Sequence, residues 1–264
     1  MSFDFVIDPF KSLYNDKSIS FNNLFFSSLL ILLPIVLITG PALPDIFLSL
    51  IALFFLVKSI LKKKWHYYQN SIAYGFLLFS LYIVVRSVFS ESLVESLTTG
   101  GSLFYFRYIF FALGVWYLLD NNHHLSKCLL IISIICIVFV SIDAIYQYFF
   151  DFNFFGNPKF SNNRLTSLFG DEPIVGRYIS FLSIFVFTLI YQNYSNRKNI
   201  IKLLVIFLIL CQVVVFLSGE RSPFFYFILF SIFIFIFSSN FRLYITTSAM
   251  LSLIVISCIT FFNP

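Results

Sequence analysis

Apolar residues in this chain come in runs rather than in alternation. Nine stretches, at roughly 24–40, 44–61, 71–89, 103–119, 128–150, 174–191, 201–217, 223–238 and 243–262, are almost free of charge. Each is near the ~20 residues a helix needs to cross a bilayer. Backbone exposed to lipid must satisfy its own hydrogen bonds, which restricts the choice to helices and closed barrels. The run Cys128–Val140 shows none of the period-two alternation of a barrel strand. Breakers fall where the chain must turn, with Gly40-Pro41 after the first run and Pro223 opening the eighth. The pattern predicts an all-α, polytopic transmembrane helix bundle of about nine helices. It forms a single domain over 24–262, preceded by a polar tail over 1–23 and carrying loops at 90–102, 151–173 and 218–222.

Composition removes the soluble alternative. Hydrophobic residues make up 59% of the chain and charged residues 11%, against roughly 25% charged in a soluble domain. The 39 Phe suit a lipid-facing surface. Cys128, Cys136, Cys211 and Cys258 all lie in apolar runs without CxxC spacing, so they read as small core residues and not as a disulfide framework or a metal site. Residues 1–23 are polar and do not form a signal peptide.

Charge then gives the helices a direction. Lys11, Lys17, Lys58, Lys62, Lys63, Lys64, Lys127, Arg197, Lys198, Lys202 and Arg242 fall in the tail and in alternate connections; they are eleven of the 17 basic residues. The positive-inside rule makes this set cytoplasmic, with the N-terminus inside and the C-terminus on the periplasmic face. The net charge of +5 is thereby explained by orientation, without nucleic acid. Arg86, Arg107, Lys159, Arg164, Arg177 and Arg221 face outward beside eight acids: Asp45, Glu91, Glu95, Asp143, Asp151, Asp171, Glu172 and Glu220. Five of these six cations are Arg, whose planar fork suits phosphate or carboxylate better than Lys does.

Two outward clusters carry the candidate chemistry. The first, Arg164-Leu-Thr-Ser-Leu-Phe-Gly-Asp-Glu-Pro-Ile-Val-Gly-Arg177-Tyr178, runs from the longest outward loop into the sixth helix. Gly170 permits a tight turn and Pro173 suits a first helical turn, which sets Asp171 and Glu172 at the positive end of the helix dipole. Arg177 falls about four residues into that helix, where a charge either pairs with Glu172 or faces an anion-binding cavity. The second cluster is Leu217-Ser218-Gly219-Glu220-Arg221-Ser222-Pro223, a short hairpin that needs no charge in order to turn. Arg221 precedes a helix whose free amides favour phosphate; the plainer alternative is a Glu220–Arg221 pairing. Arg86 and Arg107 read as interfacial anchors. Asp143 and Gln147, one helical turn apart, read either as an intramembrane functional pair or as groups reaching interfacial water. His66, His123 and His124 all map to the cytoplasmic side, and the chain holds no Ser-His-Asp set, metal cluster, Walker loop or dinucleotide motif.

Together the clusters resemble the O-antigen ligase and O-antigen polymerase family of bacterial envelope glycan assembly. The resemblance rests on Arg164, Phe169-Gly170-Asp171-Glu172, Gly176-Arg177 and the turn Ser218-Gly219-Glu220-Arg221. It implies an inner-membrane enzyme that transfers a glycan from undecaprenyl pyrophosphate to a sugar hydroxyl, on lipid A core or on a growing glycan, with neither metal nor cofactor. It implies that Arg164, Arg177 and Arg221 contact substrate phosphate, and that Glu172 and Glu220 act catalytically, orienting the arginines or the acceptor. It also implies a large histidine-bearing periplasmic loop after the ninth helix, where this sequence ends at Phe261-Phe262-Asn263-Pro264. The expectation is therefore a fragment or a degenerate member with an incomplete site. Competing expectations are a transporter or flippase for an anionic lipid-linked glycan, which calls for internal repeats and broken helices, and a non-catalytic membrane partner.

Overall fold

The structure, a computed structural model, describes residues 4–16, 19–98, 101–160, 164–194 and 197–262. Lys17, Gly100, the loop residues 161–163 and the final Asn263-Pro264 lie outside the described residues. Within them the chain is helical and holds no strand, only isolated bridges at Phe152–Pro158 and Phe160–Arg164.

The helices are α1 (Asp4–Asn15), α2 (Phe21–Val36), α3 (Ala42–Leu61), α4 (Ser71–Val88), α5 (Leu93–Leu97), α6 (Arg107–Asp120), α7 (Leu125–Phe150), α8 (Val175–Tyr194), α9 (Lys198–Leu217), α10 (Arg221–Phe237) and α11 (Arg242–Phe262). Among the described residues eight helical segments are long and apolar enough to cross a membrane, and α10 is a shorter apolar helix of 17 residues. This is a multi-pass membrane protein. Local chemistry sets the boundaries. Ser20 and Asn70 cap α2 and α4 by accepting the N–H of Asn23 and Ala73. Gly40, at φ 105, separates α2 from α3 in a conformation that only glycine holds without strain. The N-terminal tail is not shapeless: α1 is an amphipathic helix with Leu13 fully buried and Lys11 exposed.

The chain divides into two compact units, residues 1–129 and 130–264. In the first, α3 and α6 pack at close range because Gly114 has no side chain. A Cβ there would stand 3.1 Å from Ile51 Cγ2 and from Phe55 Cβ. Phe54, Phe55, Tyr67 and Tyr117 form an aromatic core at one end of this pair. Tyr67 donates to Asp120 Oδ2 at 3.1 Å. Burial first, and the carboxylate second, push its hydroxyl up to about 12. At the other end Arg107 forks onto Asp45, at 2.8 Å to Oδ2 and 2.7 Å to Oδ1. In the second unit α9 packs between α8 and α11, around the buried Val186, Leu208, Val214 and Val215.

Candidate functional site

The second unit builds its polar site from the α9–α10 turn upward. α9 ends at Leu217, and Gly219 takes φ +74, so the chain reverses in one residue. Glu220 follows in an extended conformation as the N-cap of α10. Its side chain turns away from α10 and reaches α8, where Oε1 accepts the Gly176 N–H at 2.6 Å. The Arg177 N–H also faces this carboxylate. Gly176 is required for the approach: a Cβ on it would stand 2.5 Å from Ser218 Oγ and 3.0 Å from Glu220 Oε1.

Glu220 thus caps α8 from another helix, a favourable place for a negative charge. It is buried, at 8% exposure. Desolvation raises its pKa above the usual glutamate range, opposed by the α8 amides and by the charges of Arg177 and Arg164. The capping acid is therefore Glu220. Asp171 and Glu172, which the sequence placed at this helix end, precede its first residue Val175 and stay exposed. Arg177 is the third residue of α8.

The long loop 151–173 is brought to the same place by α7. Asp143, fully buried, accepts the Phe154 N–H at 2.8 Å and the Ser167 hydroxyl at 2.5 Å. Gln147, also fully buried, accepts the N–H groups of Thr166 and Ser167 at 2.9 and 2.8 Å and donates to Thr166 Oγ1 at 3.1 Å. Neither residue reaches interfacial water; both hold the loop. Asn153 is a third anchor, which the sequence reading missed. Its Oδ1 accepts from Phe155 and Asn157, and its amide donates to the Ser167 carbonyl. The available signal was the Asn ahead of Gly156, a pairing typical of side-chain-stabilised turns. With the loop so fixed, Leu165 is buried and Arg164 is exposed. The Arg164 stem lies beside the turn, its Cγ 3.5 Å from where a Cβ on Gly219 would sit.

Two segments separated in sequence thus meet at Glu220 of the turn: the loop brings Arg164 and α8 brings Gly176 and Arg177, while Arg221 follows Glu220 as the first residue of α10. Among the described residues the ion pairs are Arg107–Asp45 and Lys159–Asp151. Neither the Glu172–Arg177 pair nor the Glu220–Arg221 pair weighed from the sequence is among them. Arg164, Arg177 and Arg221 are exposed, and among the described residues none of them makes an ion pair. Arg107, read from sequence as an interfacial anchor, instead ties α6 to α3. The first amides of α8 are taken by Glu220, whereas α10 has no side-chain cap. The chemistry on offer to an anion here is that of exposed guanidinium forks and of an α10 N-terminus without a side-chain cap.

An apolar cavity of about 340 Å3 lies among α9, α10 and α11, lined by Gln212, Phe224, Phe227, Phe235, Ile245 and Ile256 among others. Phe224 stands one turn along α10 from Arg221. Gln212 is buried, and its Oε1 has no hydrogen-bond partner. Among the described residues no three His, Cys, Asp or Glu side chains group as a metal site requires. No family model, curated protein or solved structure matches the chain.

Proposed function

We propose that this chain is a glycan ligase or polymerase of the O-antigen type, moving a glycan from undecaprenyl pyrophosphate to a sugar hydroxyl. The observation that carries the reading is a pair of exposed arginines, Arg164 and Arg177, whose charges act on a Glu220 carboxylate already occupied by backbone, with Arg221 next to it in the chain; among the described residues none of the three makes an ion pair. Lipid-linked pyrophosphate needs cations at the membrane surface and an apolar channel beside them. The cavity among α9, α10 and α11 begins one turn from Arg221 and offers that channel to the hydrocarbon tail.

In this reading the acceptor hydroxyl oxygen attacks the anomeric carbon and the bond from that carbon to the pyrophosphate oxygen breaks. Undecaprenyl pyrophosphate leaves with the electron pair. Arg164, Arg177 and Arg221 neutralise the charge that grows on the leaving oxygens. Glu220 is a positioning residue, because its carboxylate fixes the α8 N-terminus that carries Arg177. The proton lost by the hydroxyl passes to water, and Glu172, exposed three residues ahead of α8, helps to position the acceptor. The reading takes the N-terminus as cytoplasmic and this site as facing the periplasm of a bacterial inner membrane; the lysine-rich connections support that orientation through the positive-inside rule.

The test is reconstitution of the chain in nanodiscs with an undecaprenyl-pyrophosphate-linked oligosaccharide and a lipid A core or glycan acceptor. Release of undecaprenyl pyrophosphate in step with product is expected, and Arg177→Ala and Arg221→Ala are each expected to slow it about 10²- to 10³-fold. Turnover that survives both substitutions removes the proposal.

A further inference from the structure

We propose that the groove between α2 and α3, at the end of α3 that carries Lys58 and Lys62, is a binding site for an anionic phospholipid. α3 shows one stripe at helical spacing, apolar first and cationic last: Leu50, Leu53, Phe54 and Val57, then Lys58, Leu61 and Lys62. Asn22 and Phe26 of α2 form the opposite wall, and the hollow between them measures about 330 Å3. Phe26 stacks on Phe54 with ring centroids 3.9 Å apart and closes the floor. From Leu50 to Lys62 the stripe runs about 18 Å at 1.5 Å per residue. One leaflet of the hydrocarbon core is about 15 Å deep, half of ~30 Å, so an acyl chain lying here spans its leaflet and brings its phosphate to the lysines.

Charge selects the occupant. Lys58, Lys62, Lys63 and Lys64 crowd residues 58–64, a segment without an acid, and none of them makes an ion pair among the described residues. The Lys58 ammonium sits over the Phe54 ring, 5.5 Å from its centroid, which holds it at the mouth of the groove. The backbone N–H groups of Lys62, Lys63 and Lys64 are already bonded to the carbonyls of Lys58, Ile60 and Ser59. The ammonium groups are therefore the donors left for a phosphate. One lysine in the last turn complements the helix dipole, but the dipole calls for neither three more nor a hollow beside them. A zwitterionic lipid leaves this charge unmatched, whereas a net negative headgroup meets it.

Native mass spectrometry of the intact chain, released from a neutral detergent, tests the assignment with phosphatidylglycerol and phosphatidylcholine of identical acyl chains. Phosphatidylglycerol is expected to be retained roughly tenfold or more tightly, the scale set by basic residues at a charged membrane surface. The Lys58→Gln/Lys62→Gln double variant is expected to lose that preference. Val57→Trp fills the hollow, leaves every lysine in place, and is expected to weaken phosphatidylglycerol binding as much. If the double variant does not fold, Val57→Trp decides alone. Millimolar glycerol phosphate is expected to displace nothing; displacement means that a headgroup alone suffices, and overturns the lipid assignment. Equal retention of the two lipids, or phosphatidylglycerol binding untouched by Val57→Trp, overturns it as well.

Discussion

Arg107 opens α6 and Arg177 lies in the first turn of α8, so both guanidinium groups hang from the N-terminal ends of apolar helices. Asp45 of α3 grips Arg107 with both oxygens, and Tyr108 stacks under it at 5.2 Å. Arg177 also has an acid for a neighbour and feels its charge, yet makes no ion pair among the described residues: Glu220 points its carboxylate at the α8 backbone. What separates the two arginines is the prior engagement of the acid. Asp45 is free to bind a side chain and becomes a tie between helices. Glu220 is spent on capping, and Arg177 stays exposed with no ion pair among the described residues. An arginine held in position without a partner is what a site for phosphate requires, and one tied to an aspartate is not.

The contrast breaks most completely at the two close-contact glycines. Gly176→Val drives a side chain into Ser218 Oγ and Glu220; it is expected to cost about 1–3 kcal/mol of stability and to abolish the proposed glycan transfer by separating α8 from the turn. Gly114→Val meets Ile51 and Phe55 across α3 and α6; it is expected to cost a similar amount, read as the midpoint of thermal unfolding in detergent. Donor turnover per folded molecule should survive it. Equal loss of turnover in both variants removes the distinction between the regions.

The arginines come next. Arg177→Ala is expected to lower turnover about 10²- to 10³-fold with little change in unfolding midpoint. Arg107→Ala is expected to do the reverse, keeping turnover and losing no more than about 1 kcal/mol, since its half-exposed pair is screened by solvent. Asp143→Ala sharpens the comparison from the loop side. It strands the Phe154 N–H and the Ser167 hydroxyl, at about 1–3 kcal/mol for a buried donor left without its acceptor. The measurable result is faster proteolysis within 151–173 and weaker donor binding through Arg164, with the first unit untouched.

Much of this was legible beforehand, and the reason is the bilayer. Long apolar runs admit one backbone solution, so α2, α3, α4 and α6–α11 fall on the stretches read from hydropathy, with ends shifted by a few residues. Short-range signals also worked: Gly40 breaks the chain and Gly219 turns it. The site was legible as a set of residues but not as an arrangement. Nothing in the sequence says that Glu220 bonds to Gly176, 44 positions away, or that Arg107 finds Asp45, 62 away. Such partners are fixed by helix packing, which periodicity does not encode. Asp143 shows the same limit: its partners, the Phe154 N–H and the Ser167 hydroxyl, come from a loop whose path periodicity does not give, and they keep it from interfacial water. A buried acid signals function only when no loop backbone comes back to claim it.

The finest probe is the charge of Glu220 itself. Burial raises its pKa above the ordinary glutamate range, and the amides of Gly176 and Arg177 and the charges of Arg177 and Arg164 only partly oppose this. The folded protein then holds the Glu220 proton more tightly than the unfolded chain does. The stability linked to this group is present in full below the unfolded glutamate pKa and declines as pH rises through the folded one. Glu220→Gln keeps an oxygen for the Gly176 N–H and removes the ionisation. Its unfolding midpoint is expected to vary less with pH across that window and, at neutral pH, to equal or slightly exceed that of the unmodified chain. Asp45→Asn is the matched control: it removes a charge that does bind an arginine, and is expected to lower the midpoint at neutral pH by a small amount. If Glu220→Gln proves the more damaging of the two at neutral pH, then Glu220 holds the arginines as Asp45 holds Arg107, and Arg177 is not free for a phosphate.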